Sequence, residues 1–183
     1  MPRADRVLTV ALLALAPALP VHGQVPSTSF WVAGRADFIG MPGPSGSPAL
    51  FGGDLMLVRR FRESPWEAAL VLSASSREKE AYLGRTYGLY PELRYFPRRR
   101  VGGAYLLAVL GLANTRVDDD IVLPEIGIVI NGGTDATTGV LGAGTGFRFR
   151  TLGTEASVDL QYQWRTNATH GRHAVPLRLG FRW

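Results

Sequence analysis

The sequence predicts an all-β chain whose eight antiparallel strands close into an up-and-down transmembrane β-barrel, preceded by a cleavable signal peptide. Three observations predict it. Eight strand-like stretches can be counted, all but the fifth with side chains that alternate between two faces; the connections between them alternate between short and long; and the final strand, Val175 to Trp183, is apolar at every second position and ends on an aromatic residue. Because successive strand side chains point to opposite faces, Val175, Leu177, Leu179, Phe181 and Trp183 make one apolar edge, with Arg178, Gly180 and Arg182 on the other. That edge needs a large core or a lipid bilayer to receive it.

The segment before the strands reads as an export signal. Arg3 and Arg6 give a basic start, Val7 to Leu15 is apolar apart from Thr9, and Val21-His22-Gly23 places small residues before a cut between Gly23 and Gln24. Ala16 and Ala18 fit the same rule for a cut after Ala18. The apolar run is well short of the roughly 20 residues that a spanning helix needs. The expected organisation is a signal peptide over residues 1–23 and one barrel domain over residues 24–183.

Composition narrows the class. Without residues 1–23 the formal charge falls from +5 to +4, too small and too scattered for a nucleic-acid partner. The chain has no cysteine, so disulfides and thiolate metal sites are excluded and stability must come from a cooperative sheet. Frequent glycine and turn punctuation agree with strands.

The first strand covers about Ser29 to Phe38, with Phe30, Val32, Gly34, Ala36 and Phe38 opposite Trp31, Ala33, Arg35 and Asp37. The Met41 to Pro48 segment leads to a second, about Gly53 to Arg62, with Leu55, Leu57 and Phe61 against Asp54, Met56, Val58 and Arg60. After Glu63-Ser64-Pro65, the third sets Trp66, Ala68, Leu70, Leu72 and Ala74 against Glu67, Ala69, Val71, Ser73 and Ser75. Arg77 to Glu80 forms the next loop. The fourth, about Arg85 to Phe96, sets Tyr87, Leu89, Leu93 and Tyr95 against Gly88, Tyr90, Glu92 and Arg94, and holds Pro91, which removes a ladder donor.

Pro97 to Arg100 makes a polar turn before the fifth strand, about Gly103 to Ala113, which is apolar on both faces and leaves its register open. A long loop is expected over Asn114 to Asp135. The sixth strand, about Thr138 to Arg150, opposes Leu141, Ala143, Thr145, Phe147 and Phe149 to Val140, Gly142, Gly144, Gly146, Arg148 and Arg150. After Thr151 to Thr154, the seventh has the cleanest period: Ala156, Val158, Leu160, Tyr162 and Trp164 against Ser157, Asp159, Gln161, Gln163 and Arg165. Thr166 to His173 precedes the terminal strand.

Short connections after strands two, four and six, and longer ones after one, three, five and seven, are the turn and loop pattern of an outer-membrane barrel. Aromatic residues of the apolar sets lie mainly at strand ends (Phe30, Phe38, Phe61, Trp66, Tyr87, Tyr95, Phe149, Trp164 and Trp183), where two membrane interfaces would fall. An even strand count returns both mature termini to one side, the periplasm. In hydrocarbon each unpaired backbone group costs several kcal/mol, so a spanning sheet must close. The opposite face carries Arg35, Asp37, Asp54, Arg60, Glu67, Glu92, Arg94, Arg148, Asp159, Arg165 and Arg178. In a barrel of this size side chains fill the interior, so these should form a buried ion-pair network instead of a water-filled pore.

On its closing strand, Leu179-Gly180-Phe181-Arg182-Trp183, and on Pro91-Glu92-Leu93-Arg94-Tyr95-Phe96, the mature chain resembles the small eight-stranded outer-membrane barrels of Gram-negative bacteria, the OmpA/OmpX-like and opacity-protein-like group. The resemblance implies contact with outer-membrane lipid and lipopolysaccharide, and presentation of the C-terminal strand ending at Trp183 to the barrel insertion machinery. It spans adhesion, surface-protection, small-solute and structural roles, and fold does not choose among them.

Several motifs have simpler readings than the sites they suggest. Gly142-Ala143-Gly144-Thr145-Gly146 lies within a strand with no helix pattern after it, so it reads as small lumen-facing residues and not a nucleotide loop. Asp118-Asp119-Asp120 with Glu125 lacks the spacing of a calcium loop and reads as a solvated tip. His170 and His173 have no serine close in sequence, which leaves a lipid A-modifying enzyme as an alternative resting on distant geometry. Asn167-Ala168-Thr169 matches a glycosylation sequon and reads as loop chemistry. Ile121 to Ile130 is apolar inside an expected external loop; it extends strands five and six, folds back as a hairpin, or docks a partner.

The expected function is therefore a non-enzymatic outer-membrane barrel with a filled lumen. Its external loops, chiefly Asn114 to Asp135 and Met41 to Gly52, make surface contacts or support envelope integrity. No catalytic, cofactor or metal residues are assigned. A small-solute porin-like channel is a second alternative, and a soluble lipocalin-like barrel is the rival fold.

Overall fold

The computed structural model describes residues 27–39, 49–61, 64–79, 82–97, 102–123, 128–166 and 173–183. They form β1 (Ser27–Ile39), β2 (Ala49–Arg60), β3 (Trp66–Lys79), β4 (Tyr82–Tyr95), β5 (Gly103–Leu123), β6 (Ile128–Thr151), β7 (Thr154–Arg165) and β8 (His173–Arg182). Each strand pairs antiparallel with the next, and β8 returns to β1 in a register running from Trp31 opposite Arg182 to Ile39 opposite Ala174. The barrel is closed. The expected signal peptide lies outside the described residues.

The face assignments follow the alternation. Trp31, Asp54, Glu67, Glu92, Arg148, Asp159 and Arg178 are buried inside, whereas Phe30, Leu55, Leu72, Leu93, Leu141, Leu160 and Leu179 are exposed outside. This arrangement inverts that of a soluble barrel, so the lipocalin-like alternative fails. The register of β5 is now fixed: Val109 is 1% exposed and Leu110 63%, which turns Tyr105, Leu107 and Val109 inward.

Outward aromatics gather at the two ends. Phe30, Trp66, Tyr95, Phe147, Phe181 and Trp183 lie toward the turns after β2, β4 and β6, and Trp66 and Tyr95 meet with ring centroids 4.8 Å apart. Phe38, Phe51, Tyr87, Tyr162 and Trp164 lie toward the other end, hereafter the loop side. Leucines occupy the belt between them, as two interfaces flanking hydrocarbon require.

The structure corrects several boundaries. The segment expected as a loop, Asn114 to Asp135, is largely strand: β5 and β6 stay paired from Asn114 opposite Thr137 to Leu123 opposite Ile128. Of the three readings of Ile121 to Ile130, strand extension and hairpin hold together. The reason is local. Ile121-Val122-Leu123 and Ile128-Val129-Ile130 are strong strand formers. The acidic run lies across from Gly133, Gly132 and Asn131, so it meets no like charge on β6. Likewise Lys79 pairs with Tyr82, so the connection expected to be long after the third strand is tight, because the strands continue into it. The second strand begins at Ala49, with Leu50 inward and Phe51 outward, so the period persists through Gly52-Gly53.

Pro91 sits within β4 without breaking it. Its neighbours keep one register, Leu89 opposite Leu112 and Glu92 opposite Val109, and Pro91 itself still faces Leu70 on β3. The lost donor therefore falls on the β5 side. Pro176 repeats the pattern toward β7, between Leu160 opposite Leu177 and Gln163 opposite Ala174.

Candidate functional site

The inward face builds a polar interior at three levels. Nearest the turns, Glu67 at the start of β3 accepts two hydrogen bonds from Arg148 near the end of β6, at 2.8 and 2.7 Å. This is the parallel two-bond fit of a guanidinium to a carboxylate. The Arg148 guanidinium lies over the rings of Trp31 at 4.8 Å and Phe96 at 4.9 Å, and Arg60 adds a second contact to Glu67. Cation and aromatic faces together close this end.

At mid-height Arg178 on β8 is the hub. Its Nε donates to Asp159 at 2.8 Å, Nη1 to Glu92 at 2.8 Å and to Asp54 at 3.3 Å, and Nη2 to Glu92 at 3.0 Å. Arg94 donates to Glu92 at 2.7 Å, and Tyr105 donates to Asp159. Gln161 donates to Glu92 at 3.3 Å, Gln163 to Gln161 at 2.9 Å, and Arg35 to Gln163 at 3.4 Å, a chain that links this level to the next.

Toward the loop side Arg35 donates to Asp37 at 2.6 Å, stands 3.6 Å from Asp54 and lies 5.2 Å from the centre of the Tyr90 ring. Ser75 donates to the other Asp37 oxygen at 3.2 Å. Arg165, the last residue of β7, completes this level beside Thr115, Thr86 and Tyr90.

The expected ion network is therefore present. Arg35, Asp37, Asp54, Glu67, Glu92, Arg94, Arg148, Asp159, Arg165 and Arg178 are all buried, while Arg60 is half-buried at the turn end. The alternation did not foretell the large inward aromatics that complete the fill. Tyr105 lies opposite Gly146, where a Cβ would strike its ring and Asp159; the Tyr90 ring is held between Gly88 and Gly111 in the same way. A glycine facing an aromatic across the ladder was the available signal.

The other motifs resolve as follows. Gly142 to Gly146 lies in mid-β6, as expected of lumen-facing spacers. Asp118 to Asp120 are strand residues of β5 and not part of a loop; their side chains and Glu125 lie outside the described residues. His170 and Asn167 also lie outside them. His173 opens β8 on the outer face, stacked on Tyr162 at 5.8 Å with its Nδ1 2.6 Å from the tyrosine hydroxyl, so its described partner is a phenol and not a serine. Among the described residues no group of His, Asp or Glu side chains is arranged to hold a metal.

Comparison with known proteins agrees with this geometry. No protein-family model matches the chain, and no curated protein matches its sequence. Solved structures do. Neisserial surface protein A superposes with a TM-score of 0.61 at 20% identity, over 85% of this chain and 97% of that one. The fold is that of the eight-stranded outer-membrane β-barrels. The attachment invasion locus protein Ail of Yersinia pestis, solved with the heparin analogue sucrose octasulfate, gives 0.58 at 15% identity over 86% and 99% of the two chains. The N-terminal barrel domain of Pseudomonas aeruginosa OprF gives 0.55 at 17% over 87% and 100%. These outer-membrane barrels share the strand count and closure found here.

Proposed function

We propose that the chain is an integral outer-membrane protein whose barrel is a sealed, non-enzymatic anchor for the β5–β6 hairpin. The observation that carries this reading is the filled interior. Ion pairs and aromatic rings cross the lumen at three levels, and the charged residues that make them are almost all buried, while apolar side chains face outward. Such an interior opposes solute flow, and lipid is the medium that suits the exterior. Residues 1–23 act as the export signal, both mature termini lie in the periplasm, and the strand ending at Trp183 is presented to the insertion machinery.

The hairpin is the part offered to the exterior, next to lipopolysaccharide. Between Asn114 and Asp135 it carries Arg116 against Asp118, Asp119, Asp120, Glu125 and Asp135. That balance disfavours a polyanion such as the heparin analogue held by Ail and favours a neutral or cationic partner. Planar-bilayer recording tests the sealed barrel: the purified protein should give no stable single-channel steps, and reproducible steps would replace this reading with the channel alternative.

A further inference from the structure

Arg165 differs from the other lumen arginines. Its side chain is 3% exposed, yet no carboxylate pairs with it among the described residues. Its hydrogen bond goes from Nη1 to the Thr115 hydroxyl at 3.4 Å, and that hydroxyl lies 3.3 Å from Thr86 Oγ1. Nε and Nη2 are buried with no hydrogen-bond partner among the described residues. Asp37, a carboxylate of the same level, is committed through one oxygen to Arg35 and through the other to Ser75.

The two unpartnered groups are the informative ones. Nε–H and the Nη2 hydrogen beside it point the same way from the planar guanidinium and form the edge that fits two oxygens of one oxyanion. Thr115 holds the opposite corner and leaves this edge to a ligand. A buried, uncompensated guanidinium is costly, so a counter-charge at this place lowers the free energy of the barrel. The position, at the loop-side end of β7 with the Thr86 and Thr115 hydroxyls alongside, makes the ligand a small group entering from the loop side. We propose that Arg165 anchors an oxyanion-binding site in the loop-side mouth of the lumen, which takes a phosphate or sulfate group of a small solute on its Nε–Nη2 edge.

The test uses the full mature chain refolded in detergent micelles, with inorganic phosphate as probe, sulfate as competitor and chloride of equal ionic strength as control. Phosphorus NMR should show saturable broadening of the phosphate line by the wild-type protein, reversed by sulfate and insensitive to chloride. Arg165→Met should abolish it, and Arg165→Lys, which keeps charge but loses the fork, should weaken it about tenfold or more. Because no carboxylate pairs with the cation among the described residues, Arg165→Met should also fold at least as well as wild type in chloride, seen as the same heat-dependent gel shift and an equal or higher urea midpoint. Phosphate broadening that persists in Arg165→Met, or is absent from wild type, overturns the proposal. A large loss of stability for Arg165→Met in chloride would do so too, since it would show that the guanidinium already has its counter-charge.

Discussion

Replacing Arg178 by methionine tests the lumen network at its hub. The substitution keeps the apolar stem but strands the carboxylates unequally. Glu92 retains Arg94 at 2.7 Å and Asp54 retains Arg35 at 3.6 Å, whereas Asp159 keeps, among the described residues, the Tyr105 hydroxyl alone. Removing one member of a buried ion pair costs about 3–5 kcal/mol, mostly as the penalty of the charge left behind. With a urea dependence of about 2 kcal/mol per molar, the unfolding midpoint of the barrel in lipid vesicles should fall by about 2 M, followed by tryptophan fluorescence. Adding Asp159→Asn removes the stranded charge and should restore more than half of the loss, so the two changes are strongly non-additive. A midpoint within about 0.5 M of wild type for Arg178→Met, or no recovery in the double variant, would refute the reasoning.

Three further outcomes follow from single positions. Leu152, fully exposed at φ 48° beside Gly153 at φ 81°, occupies a left-handed position in the two-residue β6–β7 turn that suits Asn. Leu152→Asn should therefore stabilise the barrel by about 1 kcal/mol in the same urea assay. Gly146→Val places a side chain against Tyr105 and Asp159 and should cost about 1–3 kcal/mol, read as a lower folded fraction on unboiled gels, while the same change at exposed Gly53 should cost less. Leu160→Arg, mid-strand on the outer face of β7, should cost about 2–4 kcal/mol for folding into vesicles, whereas Gln161→Arg should disturb the network without that lipid penalty.

Much of this architecture was legible in the chain because one period governs it. On β7 and β8 every residue from Val158 to Arg165 and from Val175 to Phe181 falls on the face that alternation assigns. The inward charges were legible for the same reason. What alternation could not convey was length and fill. The β5–β6 hairpin was expected as a loop over Asn114 to Asp135; Asp118 to Asp120 and Gly132-Gly133 are each weak strand formers, but as cross-strand partners they are compatible. Tyr105 stayed hidden in a strand apolar on both faces. Arg165 was placed inside correctly, but that its Nε and Nη2 meet no hydrogen-bond partner among the described residues is a fact of three-dimensional neighbours that no spacing encodes.

The central claim is that hydrocarbon receives the outward residues and protein fills the inside. Single fluorescent probes at Leu160, Leu179 and Gln163, read against lipids that carry a quencher at mid-chain, measure this directly. The account predicts strong quenching at Leu160 and Leu179 and little at Gln163. Equal quenching at all three positions, or none at Leu160 and Leu179 in a particle that stays soluble without detergent, would contradict it.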